Sequence, residues 1–361
     1  MELIIDRILQ WARGNQAGPV RVDLNPTNRC NLQCRSCWMR AYEHIEHSTQ
    51  VPGDRLIEVV DEGAALGVKE WEITGGGEPL CAVETTPALI RRIKQLGMYG
   101  SMTTNGTMFT TELIAEMVEM AWDKIVFSLD GADAETNDYL RGKRGAFERI
   151  VTALTAFRDR KQRNNARLPL LQFNTVLSHA NHAKLEEFIS LAAEFGVANV
   201  CFEPITVHSS LGAALVLTDE DRSRLPAYIE RALVCAESTG VWTNAANYRE
   251  ERMVTEANRM DQVLQDEGSG QRHPYLRVPC YEPWFHLVIK TDGAVGPCCI
   301  FNSPQAQNIK SESLAAIWYG TYLQRIRDSL LAGRLLQFCA ICNAGQVAQN
   351  RWLRSALSSV L

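Results

Sequence analysis

The chain lacks several features that would each fix a class of function. It has no long run of one charge: 37 Lys and Arg stand against 42 Asp and Glu in 361 residues, for a net charge of -5. Without a basic stripe nothing follows a phosphate backbone, and nucleic acid is not an expected partner. No stretch approaches transmembrane length, so no membrane partner is expected. The apolar start MELIIDRILQW is interrupted by Glu2, Asp6 and Arg7 and keeps helical spacing. It reads as an amphipathic helix, not a signal peptide. Eleven cysteines without a secretory signal argue against a disulfide framework and for metal binding in a reducing cytoplasm.

What is present is a regular alternation of short β-type runs and helical patterns, the signature of repeated βα units around a parallel sheet. Strands are expected near 20–25, 69–73, 99–103, 124–128, 170–176 and 198–203, and helices near 54–66, 86–97, 111–121, 145–160 and 182–195. The last helix, AKLEEFISLAAEFG, stops on Gly196. Six such units fit a partial barrel, and 361 residues leave room for a smaller second domain. The expected α/β architecture is a partial (β/α)6 TIM-type barrel followed by a β-hairpin plus helix domain. Boundaries fall at an N-terminal helix (1–17), the barrel (18–210), a helical connecting region (211–272) and the C-terminal domain (273–361).

In such folds chemistry sits at the carboxyl ends of the strands. After the first strand comes NPTNRCNLQCRSCWMR, with Cys30, Cys34 and Cys37 in a C-x3-C-x2-C spacing. After the second comes TGGGEP (Thr74 to Pro79), after the third TTNG (Thr103 to Gly106), after the fourth SLDG (Ser128 to Gly131). The fifth strand carries Asn174. Adjacent glycines leave backbone groups open to close approach by a ligand, which a Cβ would block. Three clustered cysteines are either part of a zinc site completed by a nearby fourth ligand, for which His44 and His47 are available, or an iron–sulfur cluster with one open iron.

The three-cysteine motif at the first strand end closely resembles that of the radical S-adenosylmethionine (SAM) enzymes, over roughly residues 18 to 205. The resemblance implies a 4Fe-4S cluster on Cys30, Cys34 and Cys37 whose unique iron is chelated by the amino and carboxylate groups of SAM. It also implies that Gly76, Gly77 and Glu78 meet the methionine amino group and that Thr104 and Asn105 approach the ribose and sulfonium. Ser128 and Asn174 match positions contacting ribose or carboxylate, and Arg141, otherwise a surface charge, matches an arginine facing the SAM carboxylate. The chain departs from many members in having Ser36 before the third cysteine and Trp38 after it.

In the second half, VPCYEPWFHLVIKTDGAVGPCCIFN places Asp292-Gly293 between two β-type runs, a hairpin signal. Cys280, Cys298, Cys339 and Cys342 can close a complete site for zinc or for a cluster, with Cys299 as a substitute for Cys298. The C-x17-C pair, its G-x4-C element and the later C-x2-C resemble the twitch domain, the shortened relative of the SPASM extension, implying one auxiliary 4Fe-4S cluster. Cys81, Cys201 and Cys235 remain. Cys201 lies on the last barrel strand, and FEPITVH after it offers Glu203 and His208 as acid–base or substrate groups.

By resemblance, a flavodoxin- or ferredoxin-type reductant drives cleavage of SAM, and the 5'-deoxyadenosyl radical takes a hydrogen atom from a small polar, sugar-like or cyclitol, substrate. A fully ligated auxiliary cluster favours oxidation, as in the aminocyclitol dehydrogenase branch. The alternatives are an epimerase with Cys201 returning a hydrogen atom, a SPASM-type peptide maturase, and a non-catalytic iron–sulfur scaffold. Peptide ranks second as substrate because only about eighteen residues precede the first strand.

Overall fold

The computed structural model describes residues 2–41, 49–249, 280–342 and 344–358. His44, His47 and the connector DEGSGQRHP lie outside them. The chain opens with α1 (Glu2–Ala12) and runs through β1 (Arg21–Leu24), α2 (Gly53–Leu66), β2 (Glu70–Ile73), α3 (Thr85–Gln95) and β3 (Tyr99–Thr104). It continues with α4 (Thr111–Glu119), β4 (Lys124–Ser128), α5 (Ala134–Arg141), α6 (Ala146–Arg163), β5 (Leu170–Leu177), α7 (Leu185–Phe195) and β6 (Asn199–Pro204). After these come α8 (Ser210–Ala213), α9 (Asp219–Thr239), β7 (Trp242–Thr243), β8 (His286–Ile289) and β9 (Val295–Gly296). The described chain ends with α10 (Leu314–Trp318), α11 (Thr321–Leu331) and α12 (Ala344–Ser358).

Each of the six expected barrel strands is present, and they lie in consecutive order in one sheet, β7-β6-β5-β4-β3-β2-β1-β8-β9, parallel except for the β8–β9 pair. This is the partial TIM-type barrel. Alternation along the strands sorts the two faces. Val22, Leu24, Trp71, Ile73, Met102, Ile125, Phe127, Phe173, Val200 and Phe202 are fully or nearly fully buried and join the helices in one core. The opposite face is polar: Arg21, Asp23, Glu72, Thr103, Lys124, Ser128, Asn174 and Cys201 alternate with those core residues. Among the described residues no helix is long and apolar enough to cross a membrane.

The hairpin forms where Asp292-Gly293 indicated, with Gly293 at φ 89° and the Ala294 amide donating to Asp292 Oδ1 at 3.0 Å. Its first strand differs from the expectation of a stand-alone hairpin. β8 pairs parallel with β1, from Arg21 opposite His286 to Leu24 opposite Ile289, and all four of its residues are buried. An uncovered β1 would present a row of unpaired amides, and the apolar HLVI run closes that edge.

A charge bridge accompanies the pairing. His286 is 1% exposed, with Nε2 3.0 Å from Asp23 Oδ2 on β1 and Nδ1 2.6 Å from Glu282 Oε2. Burial alone would lower its pKa, but the facing carboxylates more than offset this and raise it to about 9. The N-terminal helix is clamped from the other end of the chain. The Arg327 guanidinium, buried, lies 4.7 Å from the Trp11 ring centre and 4.4 Å from that of Trp318, and donates to the carbonyls of Pro283 at 2.9 Å and Trp318 at 3.0 Å. Arg55 on α2 donates to the carbonyls of Ile309 at 2.8 Å and Glu312 at 3.1 Å, docking the C-terminal segment on the barrel.

His286 carries a pH signature with a definite sign. Its folded pKa of about 9 exceeds an unfolded value of about 6.5, so its stabilisation is full below about pH 6.5 and is lost as pH rises through about 9. The melting temperature of the wild type is expected to fall across that window. His286→Asn should melt lower at pH 6.5 and show a flatter profile up to pH 9; equal slopes in the two proteins would contradict the buried imidazolium.

Candidate functional site

The loop leaving β1 carries Cys30, Cys34 and Cys37 and is gripped on three sides. From the β2 end, the amides of Gly77 and Glu78 donate to the carbonyls of Thr27 at 2.8 Å and Arg29 at 2.9 Å. A Cβ at Gly77 would stand 2.0 Å from the Arg29 carbonyl oxygen, and one at Gly76, whose φ is 63°, 2.6 Å from that of Thr27. A side chain at either glycine would collide with the chain's own cysteine loop, which occupies the space that the missing Cβ leaves. From the β3 end, the Asn105 side-chain amide donates to Asn31 Oδ1 at 2.8 Å, and Asn31 Nδ2 to Thr107 Oγ1 at 2.8 Å. From α5, the carbonyls of Arg141 and Leu140 accept from the amides of Gln33 and Arg35 at 3.2 and 2.9 Å.

Glu78 is 2% exposed, and its carboxylate accepts from Thr104 Oγ1 at 2.6 Å, the Asn105 amide at 2.7 Å and the Leu80 amide at 3.1 Å. Burial raises its pKa, and these donors oppose the rise. Glu78 thus bolts the end of β2 to the end of β3. Arg141 is no surface charge. It is buried, with Nε 3.0 Å from Asp130 Oδ2 and Nη1 3.8 Å from Cys34 Sγ. The guanidinium thus places positive charge beside the Cys34 sulfur.

Asp130, Asn31 and Asn181 were not visible as site residues in the sequence. Asp130 accepts from the Val176 amide at 2.9 Å, and its carbonyl accepts from Asn181 Nδ2 at 2.9 Å. Its position inside SLDG, at a strand end ahead of Arg141, was the available signal.

Ser128, Asn174 and Cys201 lie side by side across β4, β5 and β6, since Ser128 registers with Asn174 and Asn174 with Cys201. Burial pushes the Cys201 thiol up to about 11, so it stays protonated at neutral pH. Glu203, near the end of the same strand, is raised by burial. His208 lies beyond β6 on an exposed loop, its pKa lowered by partial burial. On the facing strands, Thr103 Oγ1 donates to Glu72 Oε1 at 3.1 Å, and burial together with the Asp23 charge raises Glu72.

Cys280, Cys298, Cys339 and Cys342 all line one small pocket, together with Glu282 and apolar residues such as Ile326, Leu330 and Phe338. Burial raises the Cys280 and Cys298 thiols well above their usual range. Cys299 is not on that wall; burial and the charges of Asp23 and Glu282 push it to about 11. Cys81 contacts the Met108 sulfur at 3.4 Å and lies near Cys30, whose thiol it helps to raise, while Cys235 contacts Ser190 Oγ at 3.4 Å.

Thiolates are the ligands of iron–sulfur clusters, and both cysteine sets, one beside a guanidinium and one in a largely apolar pocket, fit such clusters.

Residues 24–192 match the family model of the Radical SAM superfamily, and residues 280–343 match the SPASM model, an iron–sulfur cluster-binding domain. Radical SAM proteins bind a 4Fe-4S cluster and SAM, and SPASM domains bind auxiliary iron–sulfur clusters. The AdoMet-dependent heme synthase of Methanosarcina barkeri is 31% identical over 47% of this chain and 46% of its own. The mycofactocin maturase MftC of Mycolicibacterium smegmatis is 32% identical over 52% of this chain and 45% of its own. The chain spans about half the length of these relatives. Streptococcus suis SuiB, solved with its precursor peptide SuiA, superposes with a TM-score of 0.65 at 16% identity, covering 94% of this chain and 74% of that one, a likeness of fold.

The geometry sets two expectations for metal content. Anaerobically reconstituted protein should hold about eight irons, and replacing Cys30, Cys34 and Cys37 together by Ala should leave about four. Gly77→Ala forces the Arg29 carbonyl away from the β2 end, so it should lower iron toward that same four while sparing the second set. Full iron in Gly77→Ala would show that the loop tolerates the displacement; zinc in place of the second four irons would contradict an iron–sulfur cluster on the C-terminal cysteines.

Proposed function

We propose, for a chain that joins a radical SAM domain to a SPASM iron–sulfur cluster-binding domain, that it binds SAM at the carboxyl end of the barrel and oxidises a polar substrate held against the polar face of the sheet. The carrying observation is the β1–β8 pairing: β1 leads into the three-cysteine loop, while β8 lies between Cys280 and Cys298, so neighbouring strands present the two cysteine sets. When bound, the first cluster supplies the electron that cleaves SAM to methionine and a 5'-deoxyadenosyl radical, and the second supplies an acceptor for an electron from the oxidised substrate.

The chain's own residues hold, orient and shield. Cys30, Cys34 and Cys37 hold the first cluster, and Cys280, Cys298, Cys339 and Cys342 the second. Arg141, fixed by Asp130, places positive charge beside Cys34 and offers a partner to the SAM carboxylate. The backbone of Gly76 to Glu78 and of Thr104 to Asn105 forms the binding rim, kept rigid by the Glu78 carboxylate. Ser128 and Asn174 line the same level of the sheet as Cys201. A flavodoxin- or ferredoxin-type protein donates the electron.

Alternating charges at Arg21, Asp23, Glu72 and Lys124 suit a small, hydrogen-bonding, sugar-like substrate. A peptide substrate is the second reading, supported by the likeness to MftC and to the SuiB fold. Epimerisation is the alternative reaction, supported by the protonated Cys201 thiol.

Loaded, reduced protein should release 5'-deoxyadenosine from SAM slowly without substrate; none at all would favour a non-catalytic scaffold. With a substrate that stimulates this release, in heavy water, the expected product is lighter by two hydrogens, free of solvent deuterium at the reacting carbon, and formed nearly as well by Cys201→Ala. A product of unchanged mass carrying deuterium, lost in Cys201→Ala while hydrogen abstraction persists, would assign epimerisation instead.

A further inference from the structure

The geometry points to a separate mononuclear metal site, formed by His179, His182 and Asp221, that binds one divalent transition-metal ion of the zinc class through nitrogen and oxygen. His179 follows β5, His182 opens the short helical turn before α7, and Asp221 sits in the first turn of α9. Their ligand atoms lie within 4.8 Å of one another, the tightest such grouping among the described residues. His179 Nδ1 is 2.6 Å from Asp221 Oδ2, and His182 Nε2 is 3.2 Å from Oδ1. Ligand atoms of a tetrahedral zinc site, with bonds of about 2.0–2.1 Å, stand about 3.4 Å apart.

Proton placement carries the argument. His182 Nδ1 lies 2.9 Å from the His179 carbonyl oxygen. A carbonyl only accepts, so Nδ1 holds the proton, and in a neutral imidazole Nε2 is then a bare lone pair. That lone pair faces a carboxylate oxygen at 3.2 Å, a contact that either a proton or a metal ion would join. A backbone carbonyl fixing one ring nitrogen while the other is free to bind is the usual support for a metal-ligating histidine. Asp221 is buried and makes its ion pairs with these two histidines, while its Oδ2 also accepts from the Thr218 amide at 2.8 Å. His179 is the exposed member, its side chain 54% accessible, which leaves the remaining coordination positions to water.

The site ties the loop after β5 to α9. Asn181, between the two histidines, donates to the carbonyls of Asp130 and Val176, and Asp130 holds Arg141 at the cysteine loop. A metal ion would brace that support from outside the reaction chamber.

The test uses the holoprotein, with both cysteine sets loaded with iron, equilibrated with micromolar zinc and desalted. Wild type should retain one zinc per chain beyond its iron, with X-ray absorption showing nitrogen and oxygen neighbours at about 2.0–2.1 Å and no sulfur at about 2.3 Å. His179→Ala, an exposed change, and His182→Gln should each lower zinc retention at least tenfold with iron unchanged, and zinc should raise the melting temperature of wild type but not of His179→Ala. Zinc with sulfur neighbours, equal zinc in His179→Ala, or no retained zinc in wild type would each overturn the site and leave two histidines paired with Asp221.

Discussion

The pairing of β8 with β1 is the constraint on which the rest of the arrangement depends. Four backbone-registered positions, reinforced by His286 between Asp23 and Glu282, join a segment from the far end of the chain to the strand that leads into the cysteine loop. Were β8 elsewhere, β1 would be an open edge, and the cavity lined by Cys280, Cys298, Cys339 and Cys342 would have no fixed position against the barrel. Removing one member of a buried ion pair leaves the other unpaired in a dry setting, so Asp23, His286 and Glu282 stand or fall together. Their burial is intelligible as a means of registering two parts of the molecule.

A second level of order follows at the strand ends. From Thr27 to Cys37 the cysteine loop has no helix or strand of its own; its backbone pairs with the residues after β2 and with α5, and its Asn31 side chain pairs with Asn105 and Thr107 after β3. That demand explains residues whose roles look different in isolation. Gly77 is small because the Arg29 carbonyl passes where its Cβ would be, and Glu78 is buried because three donors converge on its carboxylate. Arg141 is buried because Asp130 and Cys34 share its guanidinium. The loop is held by a polar network rather than by secondary structure of its own.

Local periodicity made the barrel legible. The strict alternation of EWEI on β2 and the αL stop at Gly196, φ 66°, are written in the sequence itself. What local pattern could not carry was long-range pairing: HLVI reads as a hairpin strand, and nothing near it names β1 as a neighbour. β7 was too short for periodicity to register, and α5, AETNDYLR, is too polar to show a helical stripe. In the site, the C-x3-C-x2-C and C-x2-C spacings were legible because they are local, whereas the grip of Asn31 on Asn105 and of Asp130 on Arg141 joins residues far apart in the chain. The TGGGEP run was noticed for the missing Cβ, and the cysteine loop packed against it could not be read from that run alone.

The claim that the C-terminal cysteines serve oxidation is tested most directly by separating hydrogen abstraction from product formation in a Cys339→Ala/Cys342→Ala variant. Given a deuterated substrate in a single turnover, this variant is predicted to move deuterium into 5'-deoxyadenosine as wild type does, and to yield little or none of the product lighter by two hydrogens. Wild-type yields of that product from the variant, with its second set of irons confirmed absent, would contradict the account.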